Sequence, residues 1–239
     1  MRSSRWWSAT ATQRPVAAPP ARRAAPPAPR GAGRPAAGRG KGAGKGAHRV
    51  RIVGGQWKRT PLAVPDVPGL RPTPDRVRET LFNWLGQSLE GRDCLDPFAG
   101  SGALGLEAAS RGARRVVMVE RDRTAFAAIR AATERLHAGG VELVAGDAFE
   151  ALRRLARAGE RFDLVFLDPP FGQGLLEQAL PLVAPLLAPG ARVYVEAGAP
   201  FAPPPGWRLE RGDRAGNVHY HLVVRDDGRP DGTSGGTQP

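Results

Sequence analysis

Cysteine is almost absent, one residue in 239, which excludes a disulfide scaffold. No apolar run approaches the length of a membrane span, so a multi-pass membrane protein is excluded. Nor does the N-terminal region hold the apolar segment that a secretory signal needs. Lysine is scarce, 3 residues against 32 arginines, and with Ala, Gly and Pro throughout this bias is that of a GC-rich bacterial genome. Acidic residues are missing altogether from residues 1–47, which hold ten cations.

That last absence decides what the net charge of +12 means. Outside the segment 25 cations face all 23 acids, so the tail carries +10 of the total. Its other letters are mostly Ala, Pro and Gly without hydrophobic period. Such a stretch cannot bury enough apolar surface to offset the entropy of ordering, and disorder is expected over 1–47. The Arg-rich, acid-free composition fits an organellar transit peptide, but Pro and Gly break the amphipathic helix that such peptides form. A start codon assigned upstream of a natural start near Val50 accounts for the same letters. Residues 226–239, polar and Gly-rich, are expected to be disordered as well.

What remains, 48–225, suits a single domain. Arg49–Val53, Gly54-Gly55 and Gln56–Thr60 read as a β-hairpin with a Gly-Gly turn, within an N-terminal extension over 49–64. Thr73-Pro74 reads as an N-cap followed by proline at the first helical position. Val77, Leu81, Trp84 and Leu85 then form a one-sided apolar stripe that ends at Gly86. Strands follow at Cys94–Asp96, Arg115–Glu120, Val141–Val144, Phe162–Leu167 and Ala191–Glu196. Helices fit the gaps at Ala103–Ser110, Arg123–His137 and Ala148–Ala158, and Pro181 and Pro185 kink or split a fourth around Leu175–Leu187. Trp207–Glu210 and Val218–Val224 close as an antiparallel pair. Alternating β and α with nearly continuous apolar strands predicts an α/β fold, a mostly parallel sheet with helices on both faces.

Two motifs carry chemistry. Asp96-Pro-Phe-Ala-Gly100-Ser-Gly102-Ala-Leu-Gly105 lies between the first of these strands and its helix, and Glu120 ends the next strand. This is the G-x-G-x-x-G loop with its acid, whose glycines let backbone approach a ligand while the acid accepts ribose hydroxyls. Several chemistries share the loop. Asp96 discriminates among them: a carboxylate there would face the pyrophosphate of a dinucleotide, whereas S-adenosylmethionine carries an ammonium and a sulfonium. Asp147-Ala148 stands where an adenine-edge acceptor would be, and Asp147 reads equally as the N-cap of the next helix.

Asp168-Pro169-Pro170-Phe171 leaves the fourth strand at the edge where open α/β sheets bind ligands. The prolines stiffen the exit so that the Asp168 side chain and the Pro169 carbonyl can point into one pocket. Two such acceptors suit methylation of an exocyclic amine. Taking its two N–H hydrogens frees a lone pair otherwise delocalised into the base, and Phe171 can stack on that base. No metal is needed, because a sulfonium is already electrophilic.

Arg51–Trp57, Pro68–Trp84, Cys94–Ala108 and Asp168–Phe171 resemble the bacterial 16S ribosomal RNA guanine-N2 methyltransferases, the family of the small-subunit guanine-966 enzyme. The likeness covers 49–225. It implies a Rossmann-like class I methyltransferase fold with a seven-stranded sheet, S-adenosylmethionine as donor, and a guanine of 16S rRNA in a partly assembled small subunit as acceptor. Carried onto this chain, Asp96, Phe98, Gly100, Gly102, Glu120, Asp147 and Ala148 would hold the cofactor. Asp168, Pro169 and Phe171 would hold the guanine, and Arg51, Trp57, Lys58, Arg59, Arg71 and Arg76 would meet RNA. A cytoplasmic monomer is expected. An N6-adenine DNA methyltransferase, a nicotinamide-dependent oxidoreductase and a non-catalytic RNA-binding protein are the rivals. The first of these would need a sequence-reading domain for which the chain has no room.

Charge points the same way. Residues 48–82 hold seven cations, Arg78 among them, against three acids, while 83–239 hold 18 cations against 20 acids. Trp57 reads either as an RNA-stacking ring or as packing for its own hairpin. Cys94 reads as a core residue, His219 and His221 lack the companions of a metal site, and Asp122 and Asp163 read as caps. Deleting residues 1–47 is expected to lower non-specific RNA affinity and flatten its salt dependence while methyl transfer persists. Filter binding across a salt series, alongside a transfer assay, checks both parts.

Overall fold

In a computed structural model of the chain, residues 50–226 are described. The tail expected over 1–47, and all but Asp226 of that expected over 226–239, lie outside them. Seven strands form one sheet in the order β5-β4-β3-β6-β7-β9-β8, comprising β3 (Asp93–Asp96), β4 (Arg115–Glu120), β5 (Val141–Ala145), β6 (Phe162–Leu167), β7 (Leu187–Ala197), β8 (Trp207–Ala215) and β9 (Val218–Arg225). β3 to β7 run parallel, and β9 lies antiparallel between β7 and β8. The chain steps outward from β3 to β5, then returns to place β6 on the other side of β3. The order therefore reverses at β3/β6, and a crevice opens at the carboxyl ends of these strands.

Period-two alternation explains why both faces are covered. Cys94, Val116, Met118, Leu164, Phe166 and Tyr194 pack into one core layer with α1 (Asp75–Leu85), α2 (Ala103–Ser110) and α3 (Arg123–Leu136). Their neighbours Leu95, Val117, Val119, Val165, Leu167 and Val193 pack into the other with α4 (Ala148–Arg157) and α5 (Leu175–Val183). Asp122 caps α3 by accepting the Thr124 and Ala125 N–H groups, as read from the sequence. Pro181 lies inside α5 and Pro185 in the 3-10 turn Ala184–Leu186 that ends it, which is the predicted split. Asp163 is not a helix cap. It lies within β6, accepts the Asp93 N–H at 2.8 Å and pairs with Arg92, so it ties β6 to β3.

The N-terminal hairpin exists, but not with the expected turn. β1 (Val50–Arg51) pairs with β2 (Pro61–Leu62) rather than with Gln56–Thr60, and Gly54-Gly55 is not the reversal between two strands. The glycines serve a close approach instead. A Cβ on Gly55 would stand 1.9 Å from the Ser110 carbonyl oxygen, and one on Gly54 2.1 Å from the Arg111 guanidinium. The loop lies flat on the end of α2: Val53 N–H donates to Glu107 at 2.8 Å, Gln56 N–H to the Ser110 carbonyl at 2.8 Å, and Ser110 Oγ to the Gly54 carbonyl at 2.7 Å.

Glu107 is fully buried in a helix otherwise made of apolar residues and Ser110. Its two oxygens take Arg111 Nε at 2.9 Å and Arg78 Nη1 at 3.2 Å, besides the Val53 N–H. Glu107→Ala would leave both arginines buried against a void, and breaking a buried pair in this way costs about 3–5 kcal/mol. Urea unfolding of this variant is expected to show that loss, together with faster proteolysis within residues 50–62.

Candidate active site

The cavity at the crevice has a volume of about 350 Å³. Its walls are the four loops that follow β3, β4, β5 and β6, closed on one side by the segment before α1. Phe98, Gly100, Glu120, Asp147, Ala148, Asp168, Pro169, Phe171 and Arg71 line it. Asp96 and Gly102 lie behind this lining.

The glycine loop is shaped by two constraints. Gly102 begins α2 at φ 75°, a left-handed conformation that favours glycine. A Cβ on Gly105 would stand 2.3 Å from Met118 Sδ, so the third glycine lets α2 settle onto β4. Glu120 then fixes the loop from the neighbouring strand. Its Oε2 accepts the Gly100 N–H at 2.7 Å and its Oε1 the Asp122 N–H at 2.7 Å, which leaves its remaining lone pairs toward the cavity. Asp147 caps α4 through Oδ1, accepting the Phe149 and Glu150 N–H groups, so the cap alternative is realised. Phe98 and Phe149 meet edge to face at 5.9 Å in the same region.

Asp168 is half-buried on the floor, and Phe171 is 45% exposed on the lip, unusual for so large an apolar ring. Thr73 does not cap α1: Pro74 holds that position without a side-chain cap bond. Arg78 Nε donates to the Thr73 carbonyl at 3.2 Å, and the Thr73 hydroxyl donates to Asp168 Oδ2 at 3.3 Å. The Thr-Pro pair read as a helix start thus supplies a partner to Asp168.

A second acid escaped sequence reading. Glu196 at the end of β7 is 3% exposed, accepts the Tyr194 hydroxyl at 2.8 Å, and comes one residue past the Leu167↔Val195 pair, beside Asp168. Its only sequence signal was an acid closing an apolar strand. Asp96, Asp168 and Glu196 therefore end three adjacent strands near one another. Burial pushes the Asp96 carboxyl up to about 7, with the Glu120 and Glu196 charges adding and the Gly105 N–H opposing. Burial likewise raises Asp168 well above the usual carboxylate range, followed by the charges of Glu196 and Asp96, while the Thr73 hydroxyl opposes. Asp96 Oδ1 is buried without a hydrogen-bond partner. A floor of mutually repelling acids, one with an orphaned oxygen, fits a cationic ligand such as S-adenosylmethionine and rejects a pyrophosphate.

The cations expected at RNA divide differently. Lys58, Arg59, Arg71 and Arg76 are exposed. Arg51 is exposed but paired with Asp75 at 2.9 Å. Arg78, included in the charge excess, is fully buried and donates to Asp75, Glu107 and the Arg51 carbonyl, so its charge never reaches the surface. Trp57 is half-buried against the core, which matches the packing alternative. Cys94 is buried. Among the described residues no group of three His, Cys, Asp or Glu could hold a metal ion, and no helix is long and apolar enough to cross a membrane.

A family model described as conserved hypothetical protein 95 matches residues 50–224. The chain belongs to that family. It is 46% identical over 187 residues to ribosomal RNA small subunit methyltransferase D of Escherichia coli K12, an alignment covering 76% of this chain and 92% of the relative. Over 179 residues it is 40% identical to the protein of the same name in Haemophilus influenzae, covering 72% and 92%. The solved structure of Escherichia coli yhhF, named only provisionally as a methyltransferase, superposes with a TM-score of 0.66 at 45% identity, covering 74% of this chain and 98% of that one. The sheet order and its two helical layers are those of the Rossmann-like class I methyltransferase fold, as the sequence led one to expect.

The raised acids make apo stability depend on pH. Folded Asp96 keeps its proton up to about pH 7, whereas an unfolded aspartate releases it near pH 4. Between these values the folded state binds more protons, so the Asp96 contribution falls as pH rises from about 4 to about 7; Asp168 and Glu196 act in the same sense. Asp96→Asn keeps an acceptor for the Gly105 N–H and is expected to flatten this decline by up to roughly 4 kcal/mol. Urea titrations at several pH values measure the difference.

Proposed function

We propose that this chain is a methyltransferase that moves a methyl group from S-adenosylmethionine to the exocyclic N2 of a guanine in small-subunit ribosomal RNA, the guanine-966 position of 16S rRNA. The observation that carries this reading is Asp168 on the floor of an acid-lined cavity with Phe171 exposed at its lip. The relatives named for small-subunit rRNA methylation supply the substrate class. Bound S-adenosylmethionine supplies a methyl group made electrophilic by its sulfonium.

The residues of the chain do the rest. Glu120 presents carboxylate oxygens to ribose hydroxyls, and the Gly100 to Gly102 backbone lets the cofactor approach. Asp96 sits beneath the loop, where it contributes field rather than contact. The Asp168 carboxylate and the Pro169 carbonyl accept the two N–H hydrogens of the target amine, and Phe171 covers the base once it has left its stack. Exposed Lys58, Arg59, Arg71 and Arg76 hold phosphates outside. The substrate would be the RNA of a partly assembled subunit and the enzyme a cytoplasmic monomer.

Labelled S-adenosylmethionine incubated with unmodified small subunits, or with naked RNA, followed by mapping of the modified base, tests this reading. Label on no guanine would overturn it. Asp168→Ala is expected to abolish transfer while cofactor binding, followed by calorimetry, is largely kept. Phe171→Ala removes stacking worth about 1–3 kcal/mol, so a loss of roughly 5- to 150-fold in kcat/KM is expected.

A further inference from the structure

Glu196 lies outside the cavity lining, yet it is almost completely buried beside the acid that the proposed chemistry depends on. Three geometric facts define its setting. β6 and β7 run parallel in the register Phe166↔Tyr194 and Leu167↔Val195, so Asp168 and Glu196 are neighbours at the strand ends. The Thr73 hydroxyl donates to Asp168 Oδ2 at 3.3 Å, and its presence beside the pair also eases ionisation of Glu196. The Tyr194 hydroxyl donates to Glu196 Oε1 at 2.8 Å, from the same face of the same strand.

We propose that Glu196 is a positioning residue: it holds the negative charge of a carboxyl pair whose single proton rests on Asp168 until substrates arrive. The proposal rests on the methyl-transfer reading only for its consequence in catalysis; the shared proton is a property of the empty site. Two carboxylates at neighbouring strand ends, one of them almost completely buried, do not both ionise readily. The asymmetry comes from the donors. Glu196 accepts the Tyr194 hydroxyl at 2.8 Å and lies within the field of Arg78, whereas Asp168 has only the longer bond from the Thr73 hydroxyl at 3.3 Å. Other groups acting on the pair are Asp96 at the end of β3, which opposes ionisation of Asp168, with Glu120 of β4 behind it and Tyr220 of β9 beyond Tyr194.

The consequence is a conditional acceptor. A protonated Asp168 makes a poorer partner for an amine N–H, and a cation entering the cavity removes the cost of ionising it, so that its proton leaves through the cavity to solvent. Methylation leaves the target nitrogen with one hydrogen too many. Its N–H bond breaks, the electron pair stays on nitrogen, and the proton passes to an Asp168 oxygen, which restores the resting pair. Glu196 touches no substrate in this scheme and acts through Asp168.

Infrared pH titration of the protein without cofactor or RNA, as the difference between Asp168→Asn and unaltered protein, isolates the Asp168 carboxyl band. It is expected to persist well above the usual carboxylate range. In Glu196→Gln the opposing charge is gone, so that band should disappear at lower pH, and the acid limb of kcat should move down by about one pH unit. Thr73→Val removes a donor to the ionised form, and the limb should move up instead. A uniform loss of kcat with an unmoved limb in both variants would mean a merely structural role and overturn the proposal, as would an Asp168 band that titrates in the ordinary range. If the infrared shifts appear but no RNA is methylated, the carboxyl pair stands and the methyl-transfer reading falls. Thermal melting of each variant separates misfolding from either result.

Discussion

The buried contact between Arg78 and Glu107 is the constraint on which the rest of the site depends. Ionised groups of this kind are costly to remove from water, and a pair recovers the cost only when every remaining donor and acceptor is used. Here they are. Arg78 reaches the Thr73 carbonyl, the Arg51 carbonyl, Asp75 and Glu107, and Glu107 adds Arg111 and the Val53 N–H. One fully buried guanidinium thereby joins three pieces of chain distant in sequence: the hairpin, the segment before α1, and α2 behind the glycine loop. An apolar contact of the same volume could stabilise as well but would not set direction. The fork geometry of arginine fixes the Thr73 carbonyl, and so the side on which its hydroxyl meets Asp168.

The site itself runs against stability. Asp96 and Glu196 are buried beside half-buried Asp168, and each of the three is harder to ionise than in solvent. A domain that folds with such a cluster must offset it elsewhere, and two apolar layers on opposite faces of one sheet do so. The cluster is the reverse of the capping acids Asp122 and Asp147, which spend their charge on backbone N–H groups at helix starts. Local satisfaction thus separates carboxylates that build the fold from those left in want of a ligand.

That separation also explains what could be read from the sequence. The β4, β6 and α2 boundaries follow the apolar pattern to the residue, because periodicity and glycine punctuation are local. Gly100 to Gly105 and Asp168 to Phe171 are likewise contiguous, and the fold brings them to one crevice. Long-range partnerships left no such mark. Thr73-Pro74 satisfies the letter of a helix start, and only the burial of Arg78 turns its hydroxyl toward a residue 95 positions away. Gly54-Gly55 satisfies the letter of a tight turn, and only the docked end of α2 shows that close approach is its use. Arg78 counted as surface charge because composition carries no information about burial. Glu107 and Glu196 were visible as acids in apolar elements, a signal that asks for a partner without naming it.

Charge of opposite sign at the rim and on the floor yields a filter that neither would provide alone. Exposed Arg71 and Arg121, which border the cavity, attract a polyanion to its opening, but the acids beneath repel phosphate from the cavity. A nucleotide can satisfy both only by leaving its phosphates outside and sending its uncharged base inward. Within the cavity, Asp168 and Pro169 offer acceptors, so an edge that presents N–H groups is favoured over one that presents carbonyl oxygens. Under the methyl-transfer proposal, this favours an amine-bearing base without any element reading sequence.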